Sequence, residues 1–267
     1  MKFCLVLLLF VTGSCFGQTW EAEILAGVSG YKGDLIKHNF AVKSMRQAVG
    51  INLKYNIDNA ILLRAGISWL KVTGDDRNNR QVDLKARNLN FNSDIIEASL
   101  CVEYNLLEPE IFAAYPYIFG GIGVYHFNPY TYDNSNKKTY LRPLSTEGQG
   151  LAGYPGRKPY SLTQFCLPFG AGWKWNFSKR YDIIYEIGYR VLFTDYLDDV
   201  SRTYVDRQLL LAARGPKAVE VAYRAQHSAG SYPYQEGPGA QRGNPNVKDW
   251  YFFNGLKLLI RLGKELD

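Results

Sequence analysis

Histidine, methionine and cysteine are scarce in this chain, with only 3, 2 and 4 in 267 residues. His38, His126 and His227 have no ligand spacing between them, which argues against a histidine-based metal centre. Cys4 and Cys15 lie in the N-terminal segment, so only Cys101 and Cys166 remain beyond it, too few for a disulfide scaffold. No run beyond the N-terminus is continuously apolar for the length of a spanning helix. The formal charge of +6 is mild. It suits anionic lipid or an acidic partner and does not by itself point to nucleic acid. What the chain has in quantity is aromatic side chains: 20 Tyr, 14 Phe and 5 Trp. A mean hydropathy of -0.23 resembles that of a soluble protein. Membrane β-barrels share this trait, because half their strand residues face a polar lumen.

The chain opens MKFCLVLLLFVTGSCFGQ. A basic Lys2, an apolar stretch from Cys4 to Val11 and the small-x-small Cys15-Phe16-Gly17 read as a secretory signal peptide over residues 1–17. Residues 18–267 are then the folded domain. A lipoprotein reading with Cys15 as the lipidated residue is disfavoured by Thr12, where a large aliphatic residue is wanted.

Period-two alternation recurs eight times. The segments are WEAEILAGVSGY, MRQAVGINLKYNI, AILLRAGISWL, DIIEASLCVEYNL, YPYIFGGIGVYHF, QFCLPFGAGWKWNF, YDIIYEIGYRVLF and DWYFFNGLKLLIRL. In the seventh, every odd position from Tyr181 to Phe193 is apolar or aromatic. The fifth is ambiguous, both faces being apolar or glycine. Such segments exceed the roughly 5–6 residues of an ordinary strand. Connections decide between sandwich and barrel. Asp58-Asn59, 178–180 and LEPEIFAA are short, whereas 32–43, 73–88, 128–162 and 194–248 are long. Strict alternation of short and long links is the pattern of strands whose turns lie on one side of a membrane and loops on the other. The chain is therefore expected to be all-β: an eight-stranded antiparallel up-and-down transmembrane β-barrel with long extracellular loops. Its termini are expected in the periplasm and its location in the outer membrane.

A barrel of this size has a lumen that side chains fill. The inward sets supply Glu21, Glu23, Glu97, Glu103, Asp182 and Glu186 against Arg46, Lys54, Arg64, Lys174, Arg190, Lys257 and Arg261. These are expected to pair as barrel filling, not to form a catalytic set, and a filled lumen disfavours a pore. Outward aromatics fall into two belts, Trp20, Tyr55, Tyr104, Trp175 and Tyr181 at one end, and Trp69, Phe193, Trp250 and Phe252 at the other.

Sites for chemistry are few. GGIGVY (120–125) is strand, not phosphate loop, and Gly120, Gly121 and Gly123 relieve lumen crowding or permit a bulge. Cys101 and Cys166 are inward on strands that a third separates, and read as free buried thiols. His126 with Ser161 and Glu147 is the one candidate for a lipid-modifying enzyme. Asp195, Asp198 and Asp199 read either as a calcium loop or, better, as a loop base bonding its own backbone and loop arginines. In the last loop, Val205, Leu209, Leu210 and Ala213 have helical spacing, with Gly215-Pro216 as a break. One or two short helices over the mouth are expected there.

At LFTDYLDDVS, YLRPLSTEGQG (140–150), GGIGVYHFNP (120–129) and RGNPNVKDWYFF (242–253), the sequence resembles the PorG-like outer-membrane β-barrel proteins of the Bacteroidota type IX secretion system. The resemblance runs through all eight strands. It implies a non-enzymatic component, without cofactor or metal, that associates with a periplasmic ring containing a lipoprotein and with other secretion components in the outer membrane. In gliding species the machine also supports motility. From the topology, the periplasmic turn at 106–115, with Glu108, Glu110 and Phe112, and the GKELD tail are the expected contacts. Two other functions stay open on the sequence: a stand-alone structural or adhesin-like barrel acting through its outer loops, and the lipid-modifying enzyme.

Overall fold

The computed structural model describes residues 20–36, 42–225 and 235–262. The expected signal peptide, His38, His227 and the GKELD tail lie outside the described residues. Eight long strands form the wall: β1 (Trp20–Lys32), β2 (Arg46–Asn56), β3 (Ile61–Asp75), β4 (Asn90–Asn105), β5 (Ala114–Phe127), β8 (Thr163–Asn176), β9 (Tyr181–Leu192) and β10 (Trp250–Arg261). Each pairs antiparallel with its chain neighbour, β5 pairs β8, and β1 pairs β10. The sheet is thus a closed eight-stranded barrel, which leaves no long edge exposed.

The alternation read from the sequence is the inside–outside alternation of this wall. Ile24, Ile51, Ile67, Ile122 and Leu256 are all more than half exposed on its outer face. A belt of exposed branched side chains around the whole circumference suits lipid and not water. Phe252 is the exception among the outward aromatics, being only 6 % exposed. Its ring lies where a side chain on Gly30 would stand, and it packs on Tyr189 at 6.1 Å.

The ambiguous strand is settled by packing. In β5, Tyr115, Tyr117, Phe119, Tyr125 and Phe127 are buried, while Ile118, Ile122 and Val124 face out. Gly121 is required, because a Cβ there would stand 2.1 Å from the Leu100 carbonyl oxygen; Gly120 faces open space and relieves no crowding. Nor is there a bulge, since the β5–β8 register advances equally on both strands from Gly120↔Phe169 to Gly123↔Cys166. Cys101 and Cys166 are free and buried on β4 and β8, with β5 between them.

Three boundaries differ from the sequence reading. The Asp58-Asn59 turn spans 57–60, because the Asp58 carboxylate accepts from both Ala60 N and Ile61 N (2.8 and 2.7 Å). Both β3 and β4 extend beyond the apolar alternation, to Asp75 and from Asn90. Past the Lys71↔Asp94 rung their outward face turns polar, but the backbone ladder continues. Finally, β6 (Tyr130–Tyr132) and β7 (Lys138–Tyr140) form a hairpin attached to β4. Three-residue arms are too short to show a period.

Gly27 and Gly255 are cross-strand partners facing the lumen, and the Phe253 ring lies across both. A Cβ on Gly27 would come within 2.4 Å of the Asn254 carbonyl oxygen. Gly27→Ala is therefore expected to destabilise the barrel by about 1–3 kcal/mol, measured by urea unfolding.

Candidate functional site

The lumen is built rung by rung from the inward residues. Lys54 on β2 bonds Glu103 on β4 (2.8 Å) and pairs with Glu23 on β1. Arg64 on β3 donates to Glu103 (2.7 Å) and to Glu186 on β9 (2.6 Å). Lys257 on β10 joins Glu186 back to Glu23. Three carboxylates and three cations thus alternate around a closed ring across the barrel axis. Lys174 on β8 adds a third cation to Glu103 (3.0 Å), and the β5 hydroxyl of Tyr117 donates to Glu186 (2.6 Å). All eight wall strands contribute. The side chains of Glu23, Lys54, Glu103 and Lys257 are 0 % exposed. On the long-loop side of the ring, Arg190 makes a two-pronged pair with Glu97 (2.8 and 3.0 Å), which also accepts from Tyr251 OH (2.7 Å). On the short-turn side Arg261 pairs with Asp182 and approaches Glu21.

Arg46 does not belong to this network. Its guanidinium donates to the carbonyls of Lys43 and Met45 (3.1 and 2.8 Å), at the rim of the wall. At the first residue of β2 the chain is leaving the lumen, so the alternation no longer fixes its direction. Without it, six acids face six bases: Glu21, Glu23, Glu97, Glu103, Asp182 and Glu186 against Lys54, Arg64, Lys174, Arg190, Lys257 and Arg261. Such balance is what a low-dielectric interior requires.

A second ionic cluster roofs the mouth. Arg87, in α1 (Val82–Arg87), grips Asp76 with two bonds of 2.7 Å and reaches the carbonyls of Asp34 and Arg242. Arg242 donates to Glu147 (3.0 Å) and to the Asp199 carbonyl (2.6 Å). Glu147 also accepts from the backbone of Ser201 and Arg202, and Asp199 from Thr146 and from Tyr160 (2.8 Å). The backbone N–H of Asn244 donates to Asp34 (2.7 Å). All four long loops are joined here. Of the three aspartates expected at the loop base, Asp198 accepts from the Val200 backbone (2.8 Å) and Asp199 faces Arg242 (4.0 Å), whereas Asp195 does neither. Asp76–Arg87 and Glu147–Arg242 have members too far apart in sequence to signal a pair.

Over the roof lie α2 (Arg207–Arg214) and α3 (Pro216–Ala222), broken at Gly215 with φ +81°. Asp206 caps α2 by accepting from Leu209 N (2.8 Å). Of the four apolar residues at helical spacing, Val205 and Leu210 are buried while Leu209 and Ala213 are exposed. A two-turn helix lying on a surface covers only one row.

Burial dominates the roof acids. It pushes Asp195 up to about 7, with Asp34 and Glu147 adding repulsion, and Asp199 up to about 6 against the opposing Arg242. Asp198 and Asp249 are both raised well above the usual range by burial and by their acidic neighbours. The Ser201 side chain opposes the shift at Asp195, but neither carboxylate oxygen receives a hydrogen bond of good geometry among the described residues. No group of three or more His, Cys, Asp or Glu among the described residues is placed to hold a metal.

The candidate catalytic set does not assemble. His126 Nδ1 meets Thr163 Oγ1 (2.9 Å) on the outer rim, Ser161 donates to the Thr163 carbonyl (2.8 Å), and Glu147 is held inside the roof. At the other end of the barrel, Glu110 accepts from Asn59 (2.9 Å), whereas Glu108 and Phe112 stand exposed beside Leu106, Leu107 and Ile111.

A closed wall with a lipid-suited outer belt and a lumen of paired charges defines a transmembrane β-barrel of the outer-membrane type. The chain belongs to the family described as Domain of unknown function (DUF6089), whose model matches residues 1–209. No curated protein matches. Among solved structures, the chain is similar to Neisserial surface protein A at 9% identity, covering 92% of this chain and 100% of that one, with a TM-score of 0.44. It is similar to Ail, the attachment invasion locus protein of Yersinia pestis, at 10% identity, 92% and 99% coverage and a TM-score of 0.41. OprG from Pseudomonas aeruginosa is similar at 8% identity, 91% and 97% coverage and a TM-score of 0.41.

Proposed function

We propose that this chain is a non-enzymatic outer-membrane component of a type IX protein secretion machine, acting as a structural barrel. Its short-turn end faces the periplasm and associates with a lipoprotein-containing ring. The observation that carries this reading is the convergence of the stretches behind the family resemblance. Asp199, Glu147 and Arg242 come from three of them and meet in one buried cluster. Those stretches therefore serve one shared roof instead of separate sites. With the mouth roofed and the lumen filled by paired charge, the function falls to the surfaces.

The turn between β4 and β5 is the favoured contact. Leu106, Leu107, Ile111 and Phe112 are 39–69% exposed there, beyond the last rung of the β4–β5 ladder. Exposed apolar clusters of this kind mark protein contacts. The test is a mild-detergent pull-down from native outer membranes with mass spectrometry. Wild type is expected to recover a periplasmic lipoprotein and its ring partner. Ile111→Glu/Phe112→Glu should reduce that recovery about tenfold, as for a lost central anchor. Recovery of a lone barrel even after crosslinking overturns the reading. Porin-sized conductance in a planar bilayer overturns its closed-lumen premise.

A further inference from the structure

A polar recess of about 580 Å³ opens beside the β3–β4 extension. Thr73, Asp75, Asn90 and Asn92 of the ladder line it and are taken as its floor, and Arg46 and Arg224 belong to the same lining. Register fixes its place on the molecule. Trp69↔Ile96, Lys71↔Asp94, Thr73↔Asn92 and Asp75↔Asn90 are successive rungs on the outward face of one ladder. The first rung is lipid-facing, with Ile96 57 % exposed. The floor therefore lies on the outside of the wall, roughly 10–15 Å above Trp69 for strands rising ~3.4 Å per residue at a tilt of about 40°.

The headgroup region of a bilayer is only about 5–7 Å deep on each side. With Trp69 taken as part of the aromatic belt at the hydrocarbon boundary, a simple phospholipid headgroup ends below the recess, whereas the saccharide of a glycolipid standing against the wall reaches it.

The chemistry of the lining is equally directed. Its two acids are already engaged: Asp75 with Arg77 (2.6 Å) and Asp133 with Lys217 (2.8 Å). The two arginines in its lining, Arg46 and Arg224, have no carboxylate partner among the described residues. Arg46 meets only backbone carbonyls, and Arg224 donates to Thr131 Oγ1 (2.9 Å) and the Tyr132 carbonyl (3.4 Å). Burial and the nearby Arg77 press Arg224 below its usual guanidinium value, against the opposing pull of Asp75 and Glu220. A guanidinium with free donors is suited to phosphate, bound in a two-pronged manner. Asparagine amides offer a donor and an acceptor each, as hydroxyl-rich sugars require.

We propose that this recess binds the phosphorylated saccharide of a glycolipid anchored in the leaflet beside the barrel. The inference rests on the barrel standing in the outer membrane with its long loops outside, and not on any secretion partner.

The test is equilibrium binding by the full-length barrel in detergent micelles. Three probes are used: deep-rough lipopolysaccharide with a phosphorylated inner core, lipid A cleaved from it, and the soluble phosphorylated core oligosaccharide. The core-bearing glycolipid is expected to bind at least about tenfold more tightly than either fragment, and Arg46→Gln/Arg224→Gln to lose about tenfold of that affinity. Arg224→Lys, which keeps the charge, should recover part of it, and the gel-mobility shift on heating checks that each variant is folded. Equal affinity of the soluble oligosaccharide, lost in the same variant, overturns the membrane source in favour of a free phosphorylated glycan. Wild-type affinity of the double variant for every probe, or lipid A binding as tightly as the whole, overturns the site. Orientation is read separately by impermeant maleimide on intact cells bearing Lys138→Cys. Labelled cells with a non-binding barrel sink the site alone, and failure to label sinks the topology.

Discussion

Exchanging Glu103 for alanine is expected to cost the folded barrel about 3–5 kcal/mol, the usual penalty for removing one partner of a buried ionic set. Glu103 holds Lys54, Arg64 and Lys174 at 2.7–3.0 Å, with its own side chain fully buried. Its loss leaves three cations in the lumen. Lys54 retains Glu23 and Arg64 retains Glu186, whereas Lys174 keeps no carboxylate, only the Asn105 side-chain amide oxygen (3.0 Å) and the face of the Tyr117 ring (4.5 Å). The measurement is urea unfolding in lipid vesicles, followed by tryptophan fluorescence and by mobility on gels. Glu103→Ala/Lys174→Ala should lose less than the sum of the single variants, because the second change removes the stranded ammonium. Arg46→Ala supplies the contrast, with a loss under about 1 kcal/mol, since its bonds are to exposed loop carbonyls. A Glu103→Ala barrel within about 1 kcal/mol of wild type would mean that water, not Glu103, solvates these cations.

Two physical reasons separate what was readable in the sequence from what was not. The wall was legible because lipid on one side and a charged lumen on the other force period two on every strand, and all twelve balanced charges follow from that parity alone, with Tyr117 added once the ambiguous strand is placed beside its neighbours. Arg46 was misplaced because parity stops having meaning where a strand ends. The upper parts of β3 and β4 were missed for a related reason: with Thr73, Asp75, Asn90 and Asn92 facing out, no outward apolar residue alternates with the buried Val72 and Phe91 to mark a ladder that backbone bonds sustain. Parity says nothing of the roof, where the Arg87 guanidinium donates to the backbone carbonyl of Arg242, far away in the chain. The polar recess depends on both blind spots together.

The roof is expected to loosen as pH rises. Asp195 is held at about 7 by burial, and unfolding returns it to the ordinary value of 3.8. Between those values the folded roof holds a proton that the unfolded loop has released. The stabilisation is therefore complete below about 3.8, falls as pH climbs, and is gone above about 7. Asp199, at about 6, adds a loss in the same direction over a narrower range. Facing them are Asp34, Glu147, Asp198 and Asp249, with Arg242 and Lys248 opposing. Tyr31 OH is shared between Asp198 and Asp249 (3.3 Å to the latter), a contact that favours one neutral carboxyl in the pair. Amide hydrogen exchange across 194–204, corrected for the intrinsic pH dependence, should report more frequent opening at about pH 8 than at about pH 5. Asp195→Asn keeps the shape and removes the titration. It is expected to flatten the dependence and to stabilise the roof by roughly 1–3 kcal/mol at about pH 8, the cost otherwise spent on an unpaired buried charge. A wild-type profile that rises with pH, or an Asp195→Asn barrel as pH-sensitive as wild type, would place the controlling titration elsewhere than in this cluster.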